Sequence, residues 1–362
     1  MAGRIAYMEL RTGWKGLLIF GLLISIVSAG IPLIFPTFRD SLTEELEGAN
    51  KVSLELPDEQ GGNITLSWEA LKGATSYTVL EDNRSSMVTA KLKYMGNATS
   101  ITFEKDFEEK RYYAVTAASD VSSDPVLIGI ATTEKGEDPF QELMKNPVYA
   151  GFTGGREISM LEVKGFITLE LFSWWWMLAG LFVAYLSVSM IASDFENKRM
   201  DMMFSTPISW QRYLVEKFIA MSLVALFTIS VGAVGLAGGL AGVNALHEFS
   251  ITAVVLSLIS CLPFLLVIAA VGMLTAVSFQ KVRVGMGLTF GFVFAEFFMY
   301  TFGNFSKSLE WMKAISIFNY WDYSSVIIDG LFNAGDFIAL TILAIMLLVI
   351  CVWISRKKDI PA

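Results

Sequence analysis

The chain has 362 residues, of which 54% are hydrophobic and only 17% charged, with a net charge of −8 at pH 7. A mean hydropathy of +0.54, carried in apolar blocks long enough to cross a bilayer, argues against a soluble domain and indicates a polytopic membrane protein. The basic residues flank these blocks instead of forming a patch, so nothing indicates nucleic-acid binding. Two cysteines within apolar blocks and a single histidine predict neither a disulfide nor a metal site.

The first apolar block follows a short basic N-terminus that carries Arg4, Arg11 and Lys15. Residues 16–35 form a hydrophobic run of about 20 positions, which is the length that a spanning helix needs. A signal peptide is the alternative, but the run is long for its hydrophobic region and is followed by a poor cleavage site. We therefore predict a retained first span, within residues 1–38.

Residues 39–133 have the composition of a soluble domain, and most of the negative charge lies there. Short segments alternate apolar and polar side chains, as half-buried strands do, and glycine and asparagine turns separate them. Several such segments in about 80 residues predict an all-β sandwich, inserted over residues 50–134 between the first two spans. The predicted strand segments are 52–56, 64–68, 77–80, 101–103, 112–117 and 126–130.

The insert also resembles a fibronectin type III domain. Residues 66–68 resemble its second strand, with Trp68 as the core tryptophan, and residues 73–79 resemble the turn into its third strand. Arg111 stands where that family usually has a corner tyrosine. The resemblance implies a spacer or a surface for an extracellular protein partner, without catalytic residues. On the strand that resembles the penultimate one, the residues expected to face inward are Tyr113, Val115 and Ala117.

A connector over residues 135–165 is predicted to lead back to the membrane, where the second span covers residues 166–192. Three consecutive tryptophans begin at Trp174. We interpret them as an anchor at the outer interface, because tryptophan is enriched there. A sugar-stacking platform is the alternative, which is less favoured because neighbours on a helix point in different directions.

A charged segment, residues 194–217, separates the second and third apolar blocks. Residues 195–204 are mostly good helix formers, with methionines among the charges. The Thr206-Pro pair then interrupts, because the residue before a proline is pushed out of the α region. We predict that Thr206 caps a new helix, with Ser209 in its first turn. A short amphipathic helix here would present methionines and Phe204 to a partner or the membrane. The alternative is an ordinary loop.

The remaining apolar blocks predict four further spans. An aromatic, amphipathic stretch over residues 303–333 is expected to be interfacial or re-entrant. Glu296 is the clear acid inside a predicted span. Because a charge at that depth is costly, an acid there is by default a candidate transport-path residue. A hydrogen bond to a neighbouring helix near the outer interface is the alternative. The four spans are 218–240, 251–279, 284–302 and 337–354, which makes six in all, the last five within residues 166–358.

The basic residues near the span ends predict the orientation of the chain. With the N-terminus in the cytosol, twelve Lys and Arg lie on the cytosolic side and two in the short opposite loops, as the positive-inside rule requires. Both termini and residues 194–217 are then cytosolic, and the sandwich is extracellular, in a multi-pass protein of the plasma membrane. Four candidate glycosylation asparagines lie on the predicted outer side; they are Asn63, Asn83, Asn97 and Asn304.

This order of features resembles the ABC-2 type permease subunits of ABC transporters. The cytosolic segment of that family typically has a glutamate, a Gly-Thr pair, a Leu-Leu-Ser-x-Pro-Ile-Ser run and a lysine. Here Glu196 and Lys217 match, and residues 203–209 read Met-Phe-Ser-Thr-Pro-Ile-Ser. Met200 and Asp201 stand where Gly-Thr is usual. The aromatic stretch before the last span also resembles the family.

The resemblance implies a permease, with export as the family tendency, and not an enzyme. No phosphate-binding G-x-x-x-x-G-K-[ST] loop occurs in the chain, so ATP and Mg²⁺ are expected on a separate ATP-binding subunit. Two such subunits and a second, identical permease chain would complete the transporter; this chain is expected to bind no cofactor or metal. The residues implied to couple it to the ATPase are Phe195, Glu196, Lys198, Arg199, Met200, Met203, Phe204 and Pro207.

A membrane receptor or adhesion scaffold that displays the sandwich is the alternative function. It is less favoured, because six spans and a structured cytosolic segment are more than display requires.

Overall fold

The structure is a computed structural model that describes residues 4–49, 52–55, 63–71, 73–83, 90–104, 111–119, 122–133, 158–160, 162–200, 208–249, 251–305 and 307–357. The chain divides into two compact units. One unit, Met1–Pro36 with Pro139–Ala362, is helical in the parts described. The other unit, Thr37–Asp138, carries all seven described strands.

Within the described ranges, six helices are long and apolar enough to cross a membrane, and they lie where the six spans are predicted. Two short helices, α6 (Glu310–Ile315) and α7 (Tyr323–Ile328), lie in the aromatic stretch between the last two of them. The predicted fold class is therefore confirmed. The six long helices are α1 (Arg4–Ala49), α2 (Val163–Glu196), α3 (Trp210–Gly242), α4 (Ile251–Phe279), α5 (Val282–Gly303) and α8 (Ala334–Lys357).

Helix α4 is the centre of the helical unit, since it packs against α2, α3, α5 and α8. In the most apolar 18-residue stretch of each helix, 67% is buried in α4, against 17% in α5 and in α8. Helices α1 and α3 approach closely because α3 presents Gly235 and Gly239, one turn apart, to the backbone of Ser25 and Ala29. A Cβ atom at either glycine would overlap that backbone, as in small-xxx-small packing of membrane helices.

The tryptophan cluster of α2 is mostly inside the bundle. Trp174 is 42% exposed, but Trp175 and Trp176 are 0% and 2% exposed. The ring of Trp175 lies against Gly232 of α3, and the ring of Trp176 stacks on Phe297 of α5 at 4.6 Å between centroids. The prediction of an interfacial anchor is therefore wrong for these two residues, because neighbouring helices cover both sides of α2.

The seven strands form two antiparallel sheets, of order β1-β2-β5 and β4-β3-β6-β7. Both sheets contribute to one core, so the predicted sandwich is confirmed. Strand β4 was not predicted; residues 91–94 alternate polar and apolar side chains, but most side chains of the strand are exposed. The strands are β1 (Val52–Glu55), β2 (Asn63–Trp68), β3 (Ala74–Asp82), β4 (Lys91–Gly96), β5 (Ser100–Glu104), β6 (Tyr112–Ser119) and β7 (Ser122–Thr132).

Trp68 lies in the sandwich core as predicted, 6% exposed, with its ring 5.8 Å from that of Tyr77. The three residues expected to face inward on β6, namely Tyr113, Val115 and Ala117, are all 0% exposed. At the corner position, the Arg111 backbone exchanges hydrogen bonds with Thr133, donating to its hydroxyl and accepting from its N–H.

Candidate functional site at the basic end of the bundle

One end of the helical unit gathers the first turns of α1, α3 and α5 and the last turns of α2, α4 and α8. Because successive helices alternate in direction, both ends of the described chain lie there, together with most of its helix-flanking Lys and Arg residues. We call it the basic end. Its buried core consists of Ile5, Val188, Ile191, Ala192, Met200, Tyr213, Leu214, Met273, Ala276, Val277 and Cys351.

Lys217 of α3 is buried inside the basic end, with 1% of its surface exposed. Its ammonium group donates to Oδ2 of Asp194 at 2.8 Å and to Oε1 of Glu9 at 2.5 Å. It also donates to the backbone carbonyl of Met190 at 2.7 Å. An ammonium has three N–H donors, so every donor of Lys217 has an acceptor, and one cation joins α1, α2 and α3.

Asp194 is the shared acceptor of this cluster. Its Oδ2 atom also accepts the hydroxyl of Tyr213 at 2.8 Å, and the ring of Tyr213 lies 5.2 Å from the Lys217 ammonium, within the range of a cation–π contact. Arg199 approaches Oδ1 at 3.9 Å, but its side chain is 60% exposed. Solvent therefore weakens that pair, and Lys217 is the dominant cation.

A second buried carboxylate, Glu216, fastens α1 to α3. It is 4% exposed, and its Oε2 atom accepts the backbone N–H of Ile5 at 2.8 Å, while Oε1 accepts Nε of Arg212 at 2.9 Å. The first backbone N–H groups of a helix have no intrahelical partner and carry the positive end of its dipole. Glu216 satisfies one of them. Helix α1 is thus held to α3 at Ile5 and, one turn later, at Glu9.

The end of α2 differs from the prediction. Phe195 and Glu196 form the last turn of α2 instead of starting a separate helix, and Asn197 and Lys198 make a turn, with Lys198 at φ 53° in the left-handed region. The Oε1 atom of Glu196 accepts the N–H of Val282 at 2.9 Å. It therefore caps the free N-terminus of α5, which fixes where α2 stops.

The start of α3 also lies later than predicted. Residues 208 and 209 are not helical, and α3 begins at Trp210. Ser209 is its N-cap, since its hydroxyl accepts the N–H of Arg212 at 3.3 Å. The predicted helix start directly after Thr206 is therefore wrong. The ring of Trp210 stacks on that of Phe195, with centroids 5.9 Å apart, so packing against α2 favours the later start.

The predicted coupling residues divide into three groups. Glu196, Lys198 and Arg199 are exposed and available to a partner. Met200 is 2% exposed in the core of the basic end, and Phe195 is partly buried against that core. Both side chains therefore pack within this chain, which corrects our expectation that Met200 lies on an outer face. The other predicted coupling residues, Met203, Phe204 and Pro207, lie outside the described residues.

Glu296 lies away from the basic end, on α5. Its Oε2 atom accepts the N–H of Ile317 at 2.9 Å, and its backbone carbonyl accepts the hydroxyl of Ser316 at 2.8 Å. Ile317 begins a short 3-10 turn, Ile317–Tyr320, so the carboxylate binds the start of that turn. The geometry gives Glu296 an anchoring contact, which is the alternative that the sequence left open.

The four sequon asparagines are accessible to different degrees. Asn63, Asn83 and Asn97 are exposed in the sandwich unit. Asn304 is partly buried, and its side-chain amide donates to the carbonyl of Tyr300 at 3.1 Å. Among the described residues, no group of three or more His, Cys, Asp or Glu side chains is arranged to hold a metal ion.

The sequence indicated the basic end but not its ionic core. Glu9 lies within a basic N-terminus and Lys217 matches a family position, but neither pattern predicts that the two side chains form a pair. The available signal was a single acid among the basic residues before the first span.

The chain matches a protein-family model over most of its length. The model of the ABC-2 family transporter protein matches residues 11–359, which is nearly the whole chain. No curated protein and no solved structure gives a significant match. Since the family match spans all six candidate membrane helices, the chain belongs to the ABC-2 family of transporter proteins.

Proposed function

We propose that this chain is the membrane-spanning permease subunit of an ABC-2 type exporter, driven by a separate ATP-binding subunit that docks on residues 194–217. Family membership supports the permease assignment and weighs against a receptor or adhesion scaffold. The lack of a phosphate-binding loop in the sequence supports ATP hydrolysis on another chain. The proposed transporter has two copies of this chain and two ATP-binding subunits, which carry ATP and Mg²⁺.

The observation that carries the coupling proposal is the ionic contact between the two flanks of the docking segment. Asp194 lies in the last turn of α2 and Lys217 about two turns into α3. Their contact at 2.8 Å also involves Glu9 of α1. The flanks cannot separate without leaving buried charges unpaired, which is costly. A displacement of the segment by an ATP-binding subunit would therefore move three membrane helices together, as a rigid body.

Exposed charges within the docking segment suit the rim of a docking surface. Lys198 and Arg199 are both exposed at the end of α2, where the turn at Asn197 directs the chain away from the helix. The positive-inside rule supports a cytosolic position for this end, which is where an ATP-binding subunit would be. Solvent-exposed charges of this kind contribute to specificity and association rate more than to affinity.

The test is to purify the protein from its native membranes in mild detergent and label it with photoreactive azido-ATP. We expect label on a second, co-purifying polypeptide, and ATP hydrolysis by the complex. Reversal of both rim charges, Lys198→Glu with Arg199→Glu, should reduce recovery of that polypeptide and the hydrolysis. The control is Lys91→Glu, which reverses the charge of an exposed lysine on β4. Label on this chain, or no labelled partner, would overturn the proposal.

We further propose that the sandwich is a fibronectin type III-like module on the outer side of the plasma membrane, where it acts as a spacer or binds a protein. Both native cysteines are buried, so single introduced cysteines can be labelled selectively. In intact cells, a membrane-impermeant maleimide should label Asn97→Cys of the sandwich but not Arg283→Cys at the start of α5. Permeabilised cells should show label at both. The reverse pattern would contradict the proposed orientation.

A further inference from the structure

An apolar groove of about 410 Å³ lies between α3 and α8 at the basic end. Its lining is apolar except at the end nearest the chain terminus, where Gln211 of α3 and Arg356 of α8 stand. Several of its apolar side chains face outward: Val215, Val349 and Trp353 are 40%, 61% and 56% exposed. Helix α8 is apolar enough to cross a membrane yet mostly unburied, so this groove opens toward the lipid.

Among the residues that the structure describes, no acidic side chain neutralises the positive charge at the polar end of the groove. Arg356 is exposed and makes no hydrogen bond or ion pair with any residue in the described part of the chain. Its neighbour Lys357 lies 3.5 Å from the centroid of the Trp353 ring. No carboxylate lines the groove. On α3, the carboxylate next in sequence to the groove residue Val215 is that of Glu216. It is already bound to Arg212 and to the N-terminus of α1.

The length of the groove matches one leaflet. From Leu348 to Arg356, both of which line it, α8 rises by about 12 Å at 1.5 Å per residue. One leaflet contributes roughly 15 Å of hydrocarbon. An acyl chain lying along α8 would thus meet apolar side chains over most of its length, and its headgroup would reach Arg356.

We propose that this groove binds an anionic phospholipid, whose acyl chain lies between α3 and α8 and whose phosphate meets Arg356 and Gln211. Basic residues next to a membrane span attract anionic headgroups, and the charge of the groove end is complementary to a phosphate. A second copy of α8 is a poorer occupant, because parallel packing would bring two Arg356 side chains to the same level. The proposal does not depend on an ATP-binding subunit.

Trp353 provides the probe for a test in nanodiscs. The fluorescence of Trp353 is obtained by subtracting the emission of Trp353→Phe from that of the native protein. Both proteins are reconstituted in phosphatidylcholine with a small fraction of brominated lipid. We expect brominated phosphatidylglycerol to quench Trp353 at about one-fifth of the mole fraction that brominated phosphatidylcholine needs, because one basic residue near the membrane surface favours an anionic lipid by about that factor. Equal quenching by both lipids means non-selective contact and overturns the proposal.

Variants at the groove end separate headgroup binding from general effects. Arg356→Gln should remove the preference for phosphatidylglycerol, while Arg356→Lys keeps most of it. Arg283→Gln, an exposed arginine at the start of α5 outside the groove, is the matched control and should change nothing. An unchanged preference in Arg356→Gln would overturn the proposal. So would an absence of quenching together with a disulfide between copies of Val349→Cys, which would identify a second copy as the occupant.

Discussion

The ammonium nitrogen of Lys217 lies 2.8 Å from Oδ2 of Asp194, the same oxygen that accepts the hydroxyl of Tyr213. The two charged side chains are 1% and 8% exposed, so neither charge is solvated by water. Such a pair holds its helices together chiefly because each charge would be costly without the other. This contact makes the end of α2 and the start of α3 a single unit beside the proposed docking segment.

Replacing the buried lysine should destabilise the helical unit. Lys217→Met leaves the buried Asp194 and the partly exposed Glu9 without their cation, so we expect a loss of about 3–5 kcal/mol in the free energy of unfolding, measured by titration with SDS in mixed micelles. Lys198→Met removes an exposed lysine near the same end and should have little effect. Equal stability of the two variants would contradict the role assigned to the Lys217 contacts.

The close approach of α1 to α3 should depend on particular glycines of α3. A side chain at Gly239 would overlap the backbone at Ala29, whereas nothing lies within 4 Å of a Cβ at Gly238. We expect Gly239→Leu to cost about 1–3 kcal/mol through overpacking, or more, because backbone cannot move aside. Gly238→Leu, one residue away, is the control. Thermal unfolding in detergent would measure both, and similar melting temperatures would disprove the packing.

The sandwich core should be sensitive to truncation of a single side chain. Leu66 of β2 is 0% exposed, and Leu92 of β4 is 62% exposed. We expect Leu66→Ala to destabilise the sandwich by about 2–5 kcal/mol, and Leu92→Ala to change its stability little. Hydrogen exchange of the intact protein would measure this as faster exchange in β2 and β5, with the long helices unchanged. Faster exchange in Leu92→Ala alone would refute the assigned core.

Glu296 can be tested for its two roles with two substitutions. Glutamine keeps an oxygen that can accept the N–H of Ile317, whereas alanine removes it. If the anchoring contact is the role of the residue, Glu296→Gln should retain native stability and transport, and Glu296→Ala should lose about 1–3 kcal/mol. A loss of transport in Glu296→Gln with unchanged stability would instead support the predicted transport-path role. Flux in proteoliposomes and thermal unfolding distinguish the two.

The six spans could be predicted because the signal is local. A run of apolar residues long enough to cross a bilayer predicts a span whatever its neighbours are. Alternation of polar and apolar residues likewise identified most of the strands. Strand β4 lies at an exposed edge of its sheet and was not predicted, although residues 91–94 alternate. The predicted ends of α2 and α3 were wrong. Those ends depend on Glu196 reaching Val282 and on Trp210 packing against Phe195, which are contacts between different helices.

The sequence by itself determined the number of spans and the inserted sandwich, because both follow from composition and spacing along the chain. Its motifs also carried the resemblance to the family. The tertiary structure alone decided that Lys217 is buried against Glu9, 208 residues away, and that Met200 faces inward. Helical periodicity gives the spacing of side chains on one helix, but it does not say which helix lies opposite. The ionic partner of a buried lysine is set by that neighbour, and only the packed bundle brings Glu9 and Asp194 to it.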